Sequence, residues 1–167
     1  ALIFPELFGD RGKPLTFPGA PSVAPVDPRS RSVRVRLDPP RVEPRSSDSQ
    51  YGNTFDAWGH YFTSENNDHI RHEVVAARYL ERNPQLPVSA AARQIADHGG
   101  AARVFPITAN PQYELLTESG EFTSACSLTV YTGGLFSGEY ARSSFVAEPV
   151  HNLVHRDVIE PSGATFV

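Results

Sequence analysis

Residues 49–75 hold three of the six histidines, the single tryptophan and a run of uncharged hydrogen-bonding side chains. The stretch Glu65-Asn66-Asn67-Asp68-His69, followed closely by Arg71, presents carboxylates, amides, an imidazole and a guanidinium together. His69 and His151 are the candidate catalytic bases, because an imidazole changes charge near neutrality and can take a hydroxyl proton. Arg71 is the candidate partner for a ligand carboxylate or for developing negative charge. On a regular extended strand His69 and Arg71 share a face, and His72 points to the other. Gln50, Asn53, Asn66 and Asn152 are the candidate ligand-orienting amides, with loop or turn capping the alternative role for each. Asp68, Asn66 and Glu65 offer oxygen ligands suited to calcium, although their spacing matches no EF-hand loop. Metal-assisted hydrolysis through His69, His72 and His98 is disfavoured because 69 and 72 diverge on a strand, so no metal ligand is assigned. His155 and Arg156 read as a cross-strand pair on a sheet face.

These residues need a scaffold, and length and composition bound it. A chain of 167 residues can bury one good core, and nothing forces two domains. Residues 1–45 carry a net +3 and the remainder a net −7, with Lys13 the single lysine. Neither part is basic enough, or interleaved with aromatics, to suit nucleic acid. The chain opens on Ala1-Leu2-Ile3 without an apolar leader, both ends read as cut within strands, and no run approaches the roughly 20 apolar residues that span a bilayer. The one cysteine, Cys126, excludes an internal disulfide and stands among small residues, as a buried structural thiol does.

The pattern along the chain is all-β. Residues 1–30 are proline-punctuated and irregular, while Arg31–Leu37 alternates, with Val33, Val35 and Leu37 on one face and Arg34 and Arg36 on the other. Asp56-Ala57-Trp58-Gly59 supplies a tight turn between short strands at Thr54–Phe55 and Tyr61–Thr63. Ile70–Val75 reads as the next strand, Val74–Arg82 as its continuation or a short helix, and Ser89–Ala96 as a second short helix stopped by Gly99-Gly100. Arg103–Thr108, Ser127–Tyr131, Ser143–Ala147, Leu153–Ile159 and Thr165–Val167 are strand-sized runs bounded by turn residues. Gly52–Val75 and Ser127–Ile159 look like variants of one unit, each a strand, turn, strand, polar loop and His/Arg-bearing strand. Repetition of a sheet unit at this scale suggests propeller blades, whose equivalent loops gather at one end of a channel.

Several short segments carry a family resemblance: Ser49–Asn53, Phe55-Asp56-Ala57-Trp58-Gly59, Asn66-x-Asp68-His69-x-Arg71-His72, Tyr79-Leu80-x-Arg82-Asn83-Pro84, Phe122-Thr123-Ser124-Ala125-Cys126 with Thr129-x-Tyr131, and Asn152-Leu153-Val154-His155-Arg156. Together they resemble the propeller of the membrane-bound dehydrogenase domain proteins, relatives of the sorbosone and soluble glucose dehydrogenases. The resemblance runs from about residue 30 to the C-terminus and implies a six-bladed β-propeller, of which this chain covers about three blades. It also implies export to the periplasm or beyond, and oxidation of a sugar, alcohol or aldehyde with pyrroloquinoline quinone. Electrons would pass to a c-type haem domain of the parent. No Cys-x-x-Cys-His is present, so this chain attaches no haem itself. In the relatives an Arg-Asn pair opens the equivalent hairpin, and here that segment is Ser49-Gln50-Tyr51-Gly52-Asn53, without the arginine. The alternative is a non-catalytic propeller module that binds carbohydrate or another protein.

Overall fold

The computed structural model describes residues 2–4, 13–28, 31–106 and 120–167. The fold is all-β, with one single-turn helix and two short 3-10 turns among the described residues. The chain divides into two compact units, residues 1–49 with 75–92, and residues 50–74 with 93–167. The sheets of the described residues form no closed barrel or ring.

In the first unit, β1 (Leu2–Phe4), β2 (Val33–Leu37) and β3 (Pro40–Pro44) form an antiparallel sheet in that order. The pairing of Leu2–Phe4 with β2 agrees with the strand expected at the start of the chain, within a segment otherwise expected to be irregular. The strand forms where the alternation predicts, but its apolar face is covered only at one end: Val35 is half-buried and Leu37 is exposed. Val33 is buried, while Arg34 and Arg36 both reach Glu43 on β3, at 2.6 Å and 3.4 Å. The short helix α1 (Ala77–Leu80) realises the helical option for that stretch and ends within a turn.

In the second unit, β4 (Gly52–Phe55), β5 (Tyr61–Glu65) and β6 (Asp68–Glu73) form an antiparallel meander. β7 (Ala92–Gln94) adds to β6 at its edge. This last strand replaces the helix expected over Ser89–Ala96. Local helix preference there is substantial, Ala90, Ala91, Ala92, Arg93 and Gln94 all being good helix formers, but tertiary pairing overrides it. The open edge of β6 offers hydrogen bonds, such as Ile95 N–H to Ile70 O, that a helix would forgo. The turn between β4 and β5 forms where expected. Asp56 accepts hydrogen bonds from the backbone N–H groups of Trp58 and His60, and Gly59 adopts φ +88°.

β8 (Arg103–Val104) pairs with β9 (Gly120–Glu121), and residues 107–108 of that expected strand lie outside the described residues. β10 (Cys126–Val130), β11 (Ser143–Glu148) and β12 (Leu153–Val158) form a second meander, followed by the hairpin β13 (Pro161–Ser162) and β14 (Thr165–Phe166). The first strands of the two meanders lie side by side: Ser127 N–H donates to Tyr51 O, and Val130 N–H to Thr54 Oγ1. Between the meanders sits one apolar core containing Phe62, Ile70, Phe122, Leu128, Val130 and Val146. Each large side chain there contributes about 1.5–3 kcal/mol by leaving water.

Candidate functional site

The register between β5 and β6 decides which side chains face the core. Thr63 pairs with Arg71 and Glu65 with Asp68, so a single residue of β5, Ser64, stands opposite two of β6, His69 and Ile70. This is a β-bulge, and it breaks the period-two alternation on which the expected His69–Arg71 pairing rests. Arg71 falls on the Thr63 face, where it bonds Glu65 at 2.6 Å and lies 3.5 Å from Asp68. His69 turns the other way with Ile70 and stacks on Phe122 of the core, ring centroids 4.5 Å apart. His72 joins that same face, packed on Phe62. The expected arrangement, His69 with Arg71 and against His72, is therefore reversed.

Buried completely, His69 meets two partners from distant parts of the unit. Its Nε2–H donates to Asp157 Oδ1 at 3.3 Å, and the same oxygen accepts from His155 Nε2 at 2.9 Å. His155 and Asp157 share a face because they are two apart on β12, whose alternating burial turns Leu153, His155 and Asp157 inward. Ser144 Oγ donates to the second oxygen of Asp157 at 3.3 Å. Burial alone would raise the Asp157 pKa, but the hydrogen bonds from His155 and His69 outweigh it and hold the carboxyl well below the usual range. The bond to Asp157 raises the His155 pKa against the opposing effect of burial.

His98 completes a three-imidazole cluster from the loop after β7. Gly99 at φ +78° closes that loop, its N–H donating to Ala96 O, and the exposed His98 lies beside both rings. One ring nitrogen from each of His69, His98 and His155 lies within 4.8 Å of the other two. His98, His155 and Asp157 line a cavity of about 490 Å³ whose remaining wall includes Ile70, Ile95 and Ile159. Sequence reading brought His69 and His98 into one metal hypothesis but supplied His72 as the third residue, and His155 takes that place. The spacing His155-x-Asp157, which sets a carboxylate beside an imidazole on one strand face, was the available signal.

The remaining candidates divide. Gln50 and Asn66 line a second cavity of about 470 Å³ together with Glu65, Asn67, Glu121 and Thr123. Asn53 lies opposite Thr63 on β4, and Asn152 takes φ +51° to close the 3-10 turn Pro149–His151. His151 is buried, 3.3 Å from Glu148 Oε1, and packs so close to Gly120 that a Cβ there would stand 2.9 Å from its Nε2. Glu148 is itself fully buried and accepts from Ser124 Oγ at 2.6 Å and from the N–H groups of Thr123 and Ser124. The carboxylates considered for calcium are engaged, Glu65 and Asp68 by Arg71, and Asp68 also by Gln94 Nε2 at 3.1 Å. The expected His155–Arg156 pair on a sheet face does not form: Arg156 lies over the Tyr140 ring and bonds Ser143 Oγ, while His155 turns to the opposite face and joins His69.

The chain belongs to the family described as "Domain of unknown function (DUF7133)", which matches residues 10–167. No curated protein and no solved structure matches it. Among the described residues no helix is long and apolar enough to cross a membrane.

Proposed function

We propose that this DUF7133 member contributes neighbouring blades to a β-propeller and binds a sugar or related polyol at the cavity lined by Gln50, Glu65, Asn66 and Asn67. The observation that carries the reading is the lining itself: amides and carboxylates with few apolar groups, the chemistry that recognises a set of hydroxyls. The blade assignment is supported by two successive meanders whose first strands, β4 and β10, run side by side. Glu65 is held by Arg71 at 2.6 Å, which fixes its carboxylate at the wall of this cavity.

Titration calorimetry of the chain against a panel of monosaccharides and sugar alcohols tests the reading. Binding by at least one member that is lost in Gln50→Ala and Asn66→Ala supports it. Uniform silence across the panel, or binding indifferent to both substitutions, refutes it.

A second reading is turnover by the parent protein, which would oxidise the bound sugar, alcohol or aldehyde with pyrroloquinoline quinone and pass electrons to its c-type haem domain. The resemblance of the segments at Phe55–Gly59 and Asn152–Arg156 to those of the exported dehydrogenase propellers favours it. Quinone titration followed by dye reduction in the full-length parent separates this reading from binding alone.

A further inference from the structure

We propose that His69, His98 and His155 form a binding site for one divalent late transition-metal ion, of the zinc type, with its open coordination position facing the cavity beside Asp157. The inference goes beyond ligand binding at Gln50 and Asn66 and does not depend on it.

Convergence is the first argument. Three imidazoles from three separate elements bring a ring nitrogen each within 4.8 Å of the others. Zinc–nitrogen bonds of about 2.0–2.1 Å place tetrahedral ligand nitrogens roughly 3.3 Å apart. The rings therefore need to draw in by no more than about 1.5 Å. The exposed His98, on its glycine-closed loop, is able to make that movement while the other two stay fixed.

The second argument is what holds the rings. Metal-binding histidines usually give one ring nitrogen to a carboxylate and the other to the ion. Here His69 and His155 share Asp157 and His98 lies 3.3 Å from Asp97, so a carboxylate accompanies all three rings. Stacking on Phe122 then sets the ring plane of His69.

The third argument is an unmet demand. His69 Nδ1 is buried and has no hydrogen-bond partner. A buried polar atom left unpaired costs about 1–3 kcal/mol, which a bond to a metal would remove. Donor chemistry narrows the ion: imidazole nitrogen suits zinc, copper, iron and nickel, whereas calcium and magnesium prefer oxygen. Three protein ligands with a neighbouring cavity match the pattern of sites that keep one position for water or a substrate.

The test is zinc binding by the metal-stripped chain, followed by calorimetry and by the rise in melting temperature. Cobalt serves as the spectroscopic probe and calcium as the control. One zinc per chain is expected, with the visible bands of a tetrahedral cobalt complex and no response to calcium. His98→Ala leaves an exposed position and should fold normally; it and His155→Gln should weaken zinc by about 100-fold or more. His60→Ala, outside the cluster, should bind as the parent does. Failure of the parent chain to take up zinc overturns the proposal. So does zinc retained at parental affinity by both cluster variants, or zinc lost in His60→Ala.

Discussion

His69 and Asp157 lie 88 positions apart in the chain and meet at 3.3 Å. The carboxylate reaches the imidazole across the core between the two meanders, and it serves His155 at the same time. Removing it leaves the Nε2–H of a completely buried ring without an acceptor. Asp157→Ala should therefore cost about 1–3 kcal/mol in urea unfolding of the metal-free chain. An unchanged midpoint and slope would mean that the carboxylate does not hold the cluster.

Glu148 provides a sharper contrast between buried and exposed charge. It sits fully buried against Ser124, the backbone of Thr123 and Ser124, and His151. Glu148→Ala strands His151 and two N–H groups, and a loss of about 3–5 kcal/mol is expected. The pair Arg142–Glu160 is in direct contact too, but both side chains face water. Glu160→Gln should change stability by less than about 1 kcal/mol. Chemical denaturation of the two variants side by side checks both values.

Acid sensitivity should trace in part to His72. Burial holds its pKa at about 4, the nearby His60 pushes the same way, and Asp56 opposes them. The ring packs on Phe62 and Phe166 and bonds Thr165 through Nδ1 at 3.0 Å. An unfolded histidine titrates near 6.5. Between these values the unfolded chain binds a proton that the folded chain refuses, so stability rises with pH through this window. The contribution is fully present above about 6.5 and is lost as pH falls toward 4. After allowance for solvent screening at the neighbouring His60, its size is on the order of 2 kcal/mol. In His72→Gln the unfolding free energy measured from pH 7 to pH 4 should fall less steeply than in the parent; an identical slope would remove His72 as the cause.

Among the described residues, Gly52 is the glycine whose missing side chain lets the two meanders approach. A Cβ there would stand 2.6 Å from Ser64 Oγ and 2.7 Å from the backbone nitrogen of Leu128. The serine can turn away, but the backbone of β10 cannot. Gly52→Ala is expected to cost about 1–3 kcal/mol by forcing that strand outward. Gly134, with nothing within 4 Å of its Cβ position, is the matched control and should be nearly neutral. Melting temperatures of the two variants decide it.

How much of this was legible depends on the range over which each feature is determined. Turn chemistry at Asp56–Gly59, the strand at Val33–Leu37, and the two-fold recurrence of a meander are local, and the residues alone declare them. The strand at Ala92–Gln94 was misread as helix because its deciding partner, the edge of β6, lies elsewhere in the chain. Parity at His69 failed for a related reason. A bulge is a property of two strands in register, and one extra residue in β6 sent His69 inward and Arg71 away from it.

The sequence by itself determined the all-β character, the turns and the supply of amides, carboxylates and imidazoles, because those follow from backbone preferences and residue type. Tertiary structure alone decided which of them meet. His69, His98, His155 and Asp157 come from two meanders and a loop, and only packing of Phe62, Ile70 and Phe122 into one core brings the three imidazoles within 4.8 Å of one another and Asp157 into hydrogen-bonding distance of two of them. Side-chain chemistry is written residue by residue, whereas its convergence depends on strand register and on burial of apolar surface, which act between distant segments.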